Sequence, residues 1–178
     1  MNDALHLSQL NQVLFHGNKI YRHRLLCINY TSYDLQRDFD VINPRTPKRD
    51  IMMLSHLEAG EHSFCYAQVL GIFHTNIMYV GPGSRDFPLR HIKFLWVQWF
   101  EILQDHSTTL GWNQHSLDRV RFLPMAEEDA FRFVHPADVL RGCHIVSLFT
   151  DGRLHPDGVA MSRCAGNADD WKCYYINQ

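Results

Sequence analysis

The sequence predicts a mainly β domain, a small and partly open barrel, and three observations carry that expectation. Residues 63–76, SFCYAQVLGIFHTN, and 91–102, HIKFLWVQWFEI, are apolar runs rich in aromatic and β-branched side chains. Both are too short and too poorly matched to a period of 3.6 for helices, so they read as strands. Gly81-Pro82-Gly83 supplies turn punctuation between them, which pairs the two runs as an antiparallel hairpin with a long loop. The other β-rich segments are short and irregularly connected, without the strand–helix alternation of a doubly wound sheet.

The remaining elements follow in chain order. Residues 3–16 place Leu7, Leu10, Val13 and Leu14 at helical spacing, with Asn2 or Asp3 as a cap and Gly17-Asn18 as a stop. This predicts a short N-terminal helix, with 1–18 as helix and linker and 19–178 as the β domain. Such a helix either packs on its own domain or docks on a partner. Residues 21–33, YRHRLLCINYTSY, read as one strand. Residues 34–48 are charged and end in NPRTPK, which reads as an extended connector because proline biases its predecessor away from the helical region. A short strand is expected at 51–54. Beyond the central pair, 104–118 is a polar surface loop anchored by Leu110, Trp112 and Leu117, and 119–124, RVRFLP, is a strand. One helical turn is expected at 127–132, a tight turn at 137–140 after His135-Pro136, and a buried strand at 143–149. A long loop, 151–170, carries Gly152, Pro156, Gly158 and Gly166 before a final strand at 171–176.

A chain of 178 residues fits one domain and can bury roughly 70% of its unfolded surface without covalent staples. Its 46% apolar and 12% aromatic content favour a packed, β-rich core over disorder. A net charge of -2 argues against a protein whose whole surface clamps nucleic acid. The charge is uneven, however: residues 19–50 carry seven Lys and Arg against four Asp, whereas 101–138 carry three Arg against seven acids. One basic face is therefore available. Five cysteines at unrelated spacings, with no CxxC pair, suit free thiols in a reducing compartment. The N-terminal residues lack a signal-peptide pattern, and no apolar run approaches ~18 residues. The expectation is an intracellular protein with no membrane partner.

Several stretches resemble known families. CYAQVLGIFH, LWVQWFEI, RVRFLP, HPADVLRGCHIV and DDWKCYYIN resemble, in order and spacing over residues 50–177, the strands of the bromo-adjacent homology (BAH) domain. INYTSYDLQRDFDVINPRTPKRDIMMLS, YAQVLGIFHTN, DFPLRHIKFLWVQWF, HPADVLRGCHIV and DDWKCYYIN also resemble the C-terminal region of fungal Plavaka-type transposase proteins of the KDZ group, over residues 28–177. The combination of INPRT with RGCHI carries most of that second resemblance. The acidic catalytic core of the transposase has no counterpart in this sequence. What the resemblances imply is a BAH-like barrel and a transposon-derived accessory domain, nuclear and chromatin-bound.

Candidate chemistry follows from residue types. Cys143, His144, His155, Cys164 and Cys173 are the nearest approach to a zinc set, but a structural site wants ligands in close pairs, and adjacent Cys143 and His144 on a strand point to opposite faces. A nucleophilic Cys143 with His144 or His135 would need an electropositive, accessible setting, not the middle of an apolar strand. No catalytic residue, metal or cofactor is therefore expected. Tyr66, Trp96, Trp99 and Trp112 are the aromatic candidates for an aromatic cage of the kind that some BAH-like modules use to bind methyl-lysine. On one strand, Trp96, Gln98 and Phe100 share a face while Val97 and Trp99 share the other. Arg22, Arg24, Arg45, Lys48 and Arg49 are the basic candidates for phosphate contacts, with Arg37 in the same segment. The functional expectation is a non-catalytic interaction module that binds a protein or nucleosome. The alternatives are DNA binding through the local basic face and a small metal-binding or hydrolytic protein.

Overall fold

The computed structural model describes residues 12–31, 37–55, 63–83, 86–103, 117–159 and 167–177. Along the chain run β1 (Val13–His23), β2 (Leu26–Thr31), β3 (Arg37–Ile42), β4 (Asp50–Leu54), β5 (Phe64–Tyr79) and β6 (Arg90–Leu103). They are followed by β7 (Arg119–Phe122), β8 (Phe131–Val134), β9 (Val139–Gly142), β10 (His144–Ser147) and β11 (Tyr174–Asn177), with 3-10 turns at Pro136–Asp138 and Phe149–Asp151. The expected mainly β, barrel-like architecture is what the chain adopts.

The two apolar runs form the antiparallel pair β5–β6, in register from Ala67 opposite Trp99 to Ile77 opposite Arg90. The main sheet has the order β10-β11-β7-β6-β5-β4-β9, with β1 added to the far half of β5 and β8 to the middle of β6. β2 and β3 make a separate hairpin.

Because both long strands exceed the width of the neighbouring layers, they serve two cores on opposite faces. One face holds Ile51, Ala67, Val69, Leu95 and Val97, closed from outside by Ile28 and Ile42 of the β2–β3 hairpin. The other holds Met52, Tyr66 and Phe100, closed by Val120 of β7 and by Tyr174 and Ile176 of β11. Residues 50–53 of β4 are consequently buried on both sides, which is why DIMML reads as an unbroken apolar run. A register shift between Val69 and Gly71 then reverses the alternation along β5. Ala67 and Val69 face the first core, whereas Gly71 and Phe73 lie on the opposite face, in register with Trp96 and Phe94. Gly71 leaves room for the Phe73 ring, which lies across it and would have to shift if a Cβ were added.

Several expectations need correction. Where it is described, the predicted N-terminal helix is extended: Val13, Leu14 and Phe15 pair with Tyr79, Met78 and Ile77. A waiting strand edge outweighs weak helical spacing there, and residues 1–11 lie outside the described residues. The single strand expected at 21–33 is two strands in different sheets, broken at Arg24-Leu25. Part of the supposed connector 34–48 is β3, whose acids are partnered: Tyr30 Oη donates to Asp38, and Asp40 accepts from the Gly142 N–H at 2.8 Å. No helical turn forms at 127–132; Phe131 and Arg132 belong to β8. The tight turn is Pro136–Asp138, with Val139 and Leu140 already in β9. The strand expected at 143–149 shrinks to β10, which is an edge strand with exposed His144 and Val146 and is not buried. The last strand begins at Tyr174. Most of the 104–118 loop lies outside the described residues. Among the described residues, no helix is long and apolar enough to cross a membrane.

Candidate functional site

The β3–β4 loop, NPRTPKR, shapes the site. Asn43 organises it: the Asn43 N–H donates to the Lys48 carbonyl (2.7 Å), the Asn43 carbonyl accepts from Thr46 N–H (3.0 Å), and its side-chain oxygen accepts from Arg45 N–H (3.1 Å). With Pro44 and Pro47 fixing φ at two positions, the loop stands as a wall. Between it and β11 lies a cleft of about 440 Å³, lined on the loop side by Arg45 and Arg49 and on the other by Asp169, Asp170, Trp171 and Tyr174. That volume lies in the range of small-molecule and side-chain pockets.

The floor is polar. Asp50 and Gln68 line it and sit in register with Gln98 across β4, β5 and β6, and all three are buried. Gln68 accepts from the Arg49 guanidinium at 3.1 and 3.2 Å and hydrogen-bonds Asp50 on its other side. Asp50 is 7% exposed, and its Oδ1 has no hydrogen-bond partner among the described residues. Burial pushes the Asp50 carboxyl up to about 7, against the opposing pull of Arg49 and of the Gln68 bond. Asp170 is likewise raised by burial, opposed by Arg49, His155 and the Tyr174 hydroxyl.

The walls are aromatic. Phe100 and Phe122 stack with centroids 4.2 Å apart, and Tyr174 meets both edge-on. The Tyr174 hydroxyl accepts from the Trp171 N–H at 2.8 Å, which fixes the start of β11, and its own ionisation is raised by burial. Trp171 meets Phe149 edge-on, and the Arg153 guanidinium lies 5.4 Å from its ring centre while pairing with Asp169 at 2.8 Å. One intramolecular cation thus already lies over this indole.

The expected site residues are dispersed. Tyr66 is fully buried in the second core and offers nothing to a ligand. Trp96 stacks on Phe131 and contacts Phe133, while Trp99 packs against the first core, so the two occupy opposite faces and form no common cage. Trp112 lies outside the described residues. Of the basic set, Arg22, Arg24 and Arg45 converge on a shallow depression with His23 and Pro44. Arg49 turns into the cleft instead. Lys48 faces a second cavity of about 930 Å³, lined also by Phe39, Arg141 and Cys143, which shares Thr46, Pro47 and Asp50 with the cleft. The Cys143 thiol is pushed up to about 12 by burial, with the Asp50 and Asp40 carboxylates adding to the rise. It therefore stays protonated and makes a poor nucleophile. Cys164 lies outside the described residues, and among those described no group of three or more His, Cys, Asp or Glu side chains is placed to hold a metal ion.

Asp50, Gln68, Trp171 and Tyr174 were not singled out by sequence reasoning. A signal existed for two of them: DDWKCYYIN puts an acidic pair directly against an indole at a loop–strand junction. Comparison of the chain with models of protein families, with curated proteins and with solved structures finds no match in any of the three.

Proposed function

We propose that this protein is a non-catalytic interaction module whose cleft receives a basic side chain of a protein segment, a lysine or methylated lysine, with histone tails as the first class to test. The observation that carries the reading is the Asp50 carboxylate, desolvated beneath an aromatic-walled cleft with Oδ1 unpartnered. An unpartnered buried acceptor costs about 1–3 kcal/mol. The N–H of an arriving unmethylated or partly methylated ammonium would convert that cost into a charge-assisted bond, which the trimethylated form, with no N–H, cannot make. Phe122, Trp171 and Tyr174 offer ring faces and edges to the methylene stem. Asp169 and Asp170 add negative charge at the mouth, and Arg45 and Arg49 limit it. That mixed lining suits one cation within an extended peptide better than a run of lysines. The sequence stretches within residues 50–177 that resemble BAH domains support the same reading and, with it, a nuclear location.

The test is calorimetric titration at pH 8 with histone-tail peptides, unmodified and trimethylated, against an acidic peptide of equal length. Saturable binding of a lysine-bearing peptide, weakened at least tenfold by D50N, is expected. Equal affinity of D50N and the parent protein, or preference for the acidic peptide, would remove the proposal.

A further inference from the structure

Beyond the cleft, the far half of the β5–β6 pair runs out past both cores as a ribbon edged by β1 and β8. The strand segments that build it share one compositional property. Residues 13–23, 64–79, 90–100 and 131–134 contain no Asp or Glu, yet they carry Lys19, Arg22, Arg90, Lys93 and Arg132. Arg22 and Arg90 share the face of Phe73 and Phe94, whereas Lys93 lies on the opposite face beside His74 and Arg132 pairs with Asp129. In a chain of net charge -2 this is a strong local segregation of positive charge.

The aromatic residues of the ribbon are segregated as well. Arg22, Phe73 and Phe94 lie side by side across β1, β5 and β6 and share a face. The Phe73 and Phe94 rings stack at 5.5 Å, Phe94 meets Phe133 edge-on at 5.4 Å, and Trp96 contacts Phe133 at 4.6 Å and stacks on Phe131 at 5.7 Å. Five rings thus form a continuous row on one sheet surface, and Phe133 is 65% exposed. At the β1 end of the row, Arg22 also lines the depression it shares with Arg24 and Arg45.

We infer that this face is a binding platform for single-stranded nucleic acid. Every base has a π-face, so a row of rings on an open sheet accepts successive bases without a sequence code. Guanidinium groups at the border, Arg22 and Arg90 among them, would hold the backbone, and the strand segments under the rings carry no carboxylate of their own to repel a polyanion. A duplex, whose bases are already stacked, cannot use the rings. Arg45 borders both sites, but the side chains tested differ, Phe133 and Arg22 on the sheet face and Asp50 in the cleft, so either proposal can fail while the other stands.

Fluorescence anisotropy with labelled twelve-nucleotide dT and rU oligomers, and with a twelve-base-pair duplex, tests this at 50 and 200 mM salt. The single strands are expected to bind more tightly than the duplex, in both the DNA and the RNA arm. F133A, at an exposed position, is expected to weaken single-strand binding on the order of tenfold. R22Q should lower the slope of log affinity against log salt by about 0.7, the value for one phosphate contact on a single strand. Circular dichroism confirms that both variants fold. Absence of binding at 50 mM salt, equal binding of duplex and single strand, or unchanged affinity of F133A would each overturn the inference. So would self-association through this face, seen as a dimer that F133A dissolves in the absence of nucleic acid binding.

Discussion

The cleft makes a quantitative statement about pH. Asp50 is the floor of the proposed cation site, and burial holds its carboxyl at about 7. Its ionised fraction therefore rises from about 0.09 at pH 6 to about 0.91 at pH 8. If only the ionised carboxyl accepts the ammonium group, affinity for a lysine-bearing peptide rises about tenfold over that range, about 1.4 kcal/mol. The peptide lysine stays charged throughout, so the change belongs to the protein. Of the other groups at the cleft, Asp169 pairs with Arg153. Asp170 is raised in the same direction as Asp50 and reinforces the trend. His155 faces Asp170, so H155Q is measured alongside. Calorimetry at pH 6, 7 and 8 in constant ionic strength is the assay. In D50N the pH dependence should collapse to the part that Asp170 contributes. A flat profile for the parent protein, or tighter binding at pH 6, would refute the role given to Asp50.

The same carboxyl predicts a stability profile. A carboxyl raised in the folded state makes that state the better proton binder, so its contribution is fully present below the unfolded value and is lost as pH rises through about 7. Urea unfolding should show the parent protein losing roughly 2–3 kcal/mol more than D50N between pH 5 and pH 8. R153A frees the indole of Trp171 and the Asp169 carboxylate together, and calorimetry should report affinity for the lysine-bearing peptide raised about two- to fivefold. Y66A should lower stability by about 3–5 kcal/mol in urea unfolding, because the ring is wholly enclosed in the second core, with unfolding rather than ligand affinity as its phenotype. On the other face of the ribbon, His74 stacks on Tyr21 and on His23, whose ring nitrogen it meets at 2.5 Å, and contacts His91 at a tilt. Burial with the neighbouring His91, His23 and Lys93 lowers the proton affinity of His74. Its charging at low pH is therefore resisted by the fold, and β1 amides should exchange faster at pH 5.5 than at pH 7.5 after correction for intrinsic rates.

The long strands were legible because their apolar runs match a helical period poorly and are separated by Gly81-Pro82-Gly83. The alternation Trp96, Gln98, Phe100 against Val97, Trp99 was legible as well, since β6 keeps its pairing with β5 through Trp99. What the sequence concealed was partnering at a distance. β3 looks like a polar connector because Asp38 and Asp40 are visible in the sequence, while Tyr30 and the Gly142 N–H that satisfy them lie elsewhere. The 127–132 segment looks helical by local propensity, yet Phe131 and Arg132 find the open edge of β6 opposite Gln98 and Val97. The cleft was hidden for a related reason. Asp50 reads as the last charge of a basic loop, and only the β4–β5 register shows it to be buried beside Gln68. The tryptophans drew attention by residue type, but two of the four are packing elements here: Trp96 inside a ring row and Trp99 against the first core.

The row Asp50–Gln68–Gln98 also explains how the two proposed surfaces coexist on one sheet face. On one side of it lie Tyr66 and Phe100, sealed by β7 and β11; on the other lie Trp96 and the aromatic platform. An apolar row in the same three positions would let the covering layer of β7 and β11 extend over the platform, since nothing would mark where burial should stop. Buried amides are costly to leave unmatched, so a polar row sets that edge in register. Replacing Gln98 with leucine therefore separates two accounts of it. If the row is a boundary, Q98L should hold or raise stability in urea unfolding while lowering the exposure of Trp96, read by acrylamide quenching of fluorescence against a W96F reference. If Gln98 only satisfies its neighbours, Q98L should destabilise by about 1–3 kcal/mol and leave the quenching of Trp96 unchanged, and the boundary argument fails.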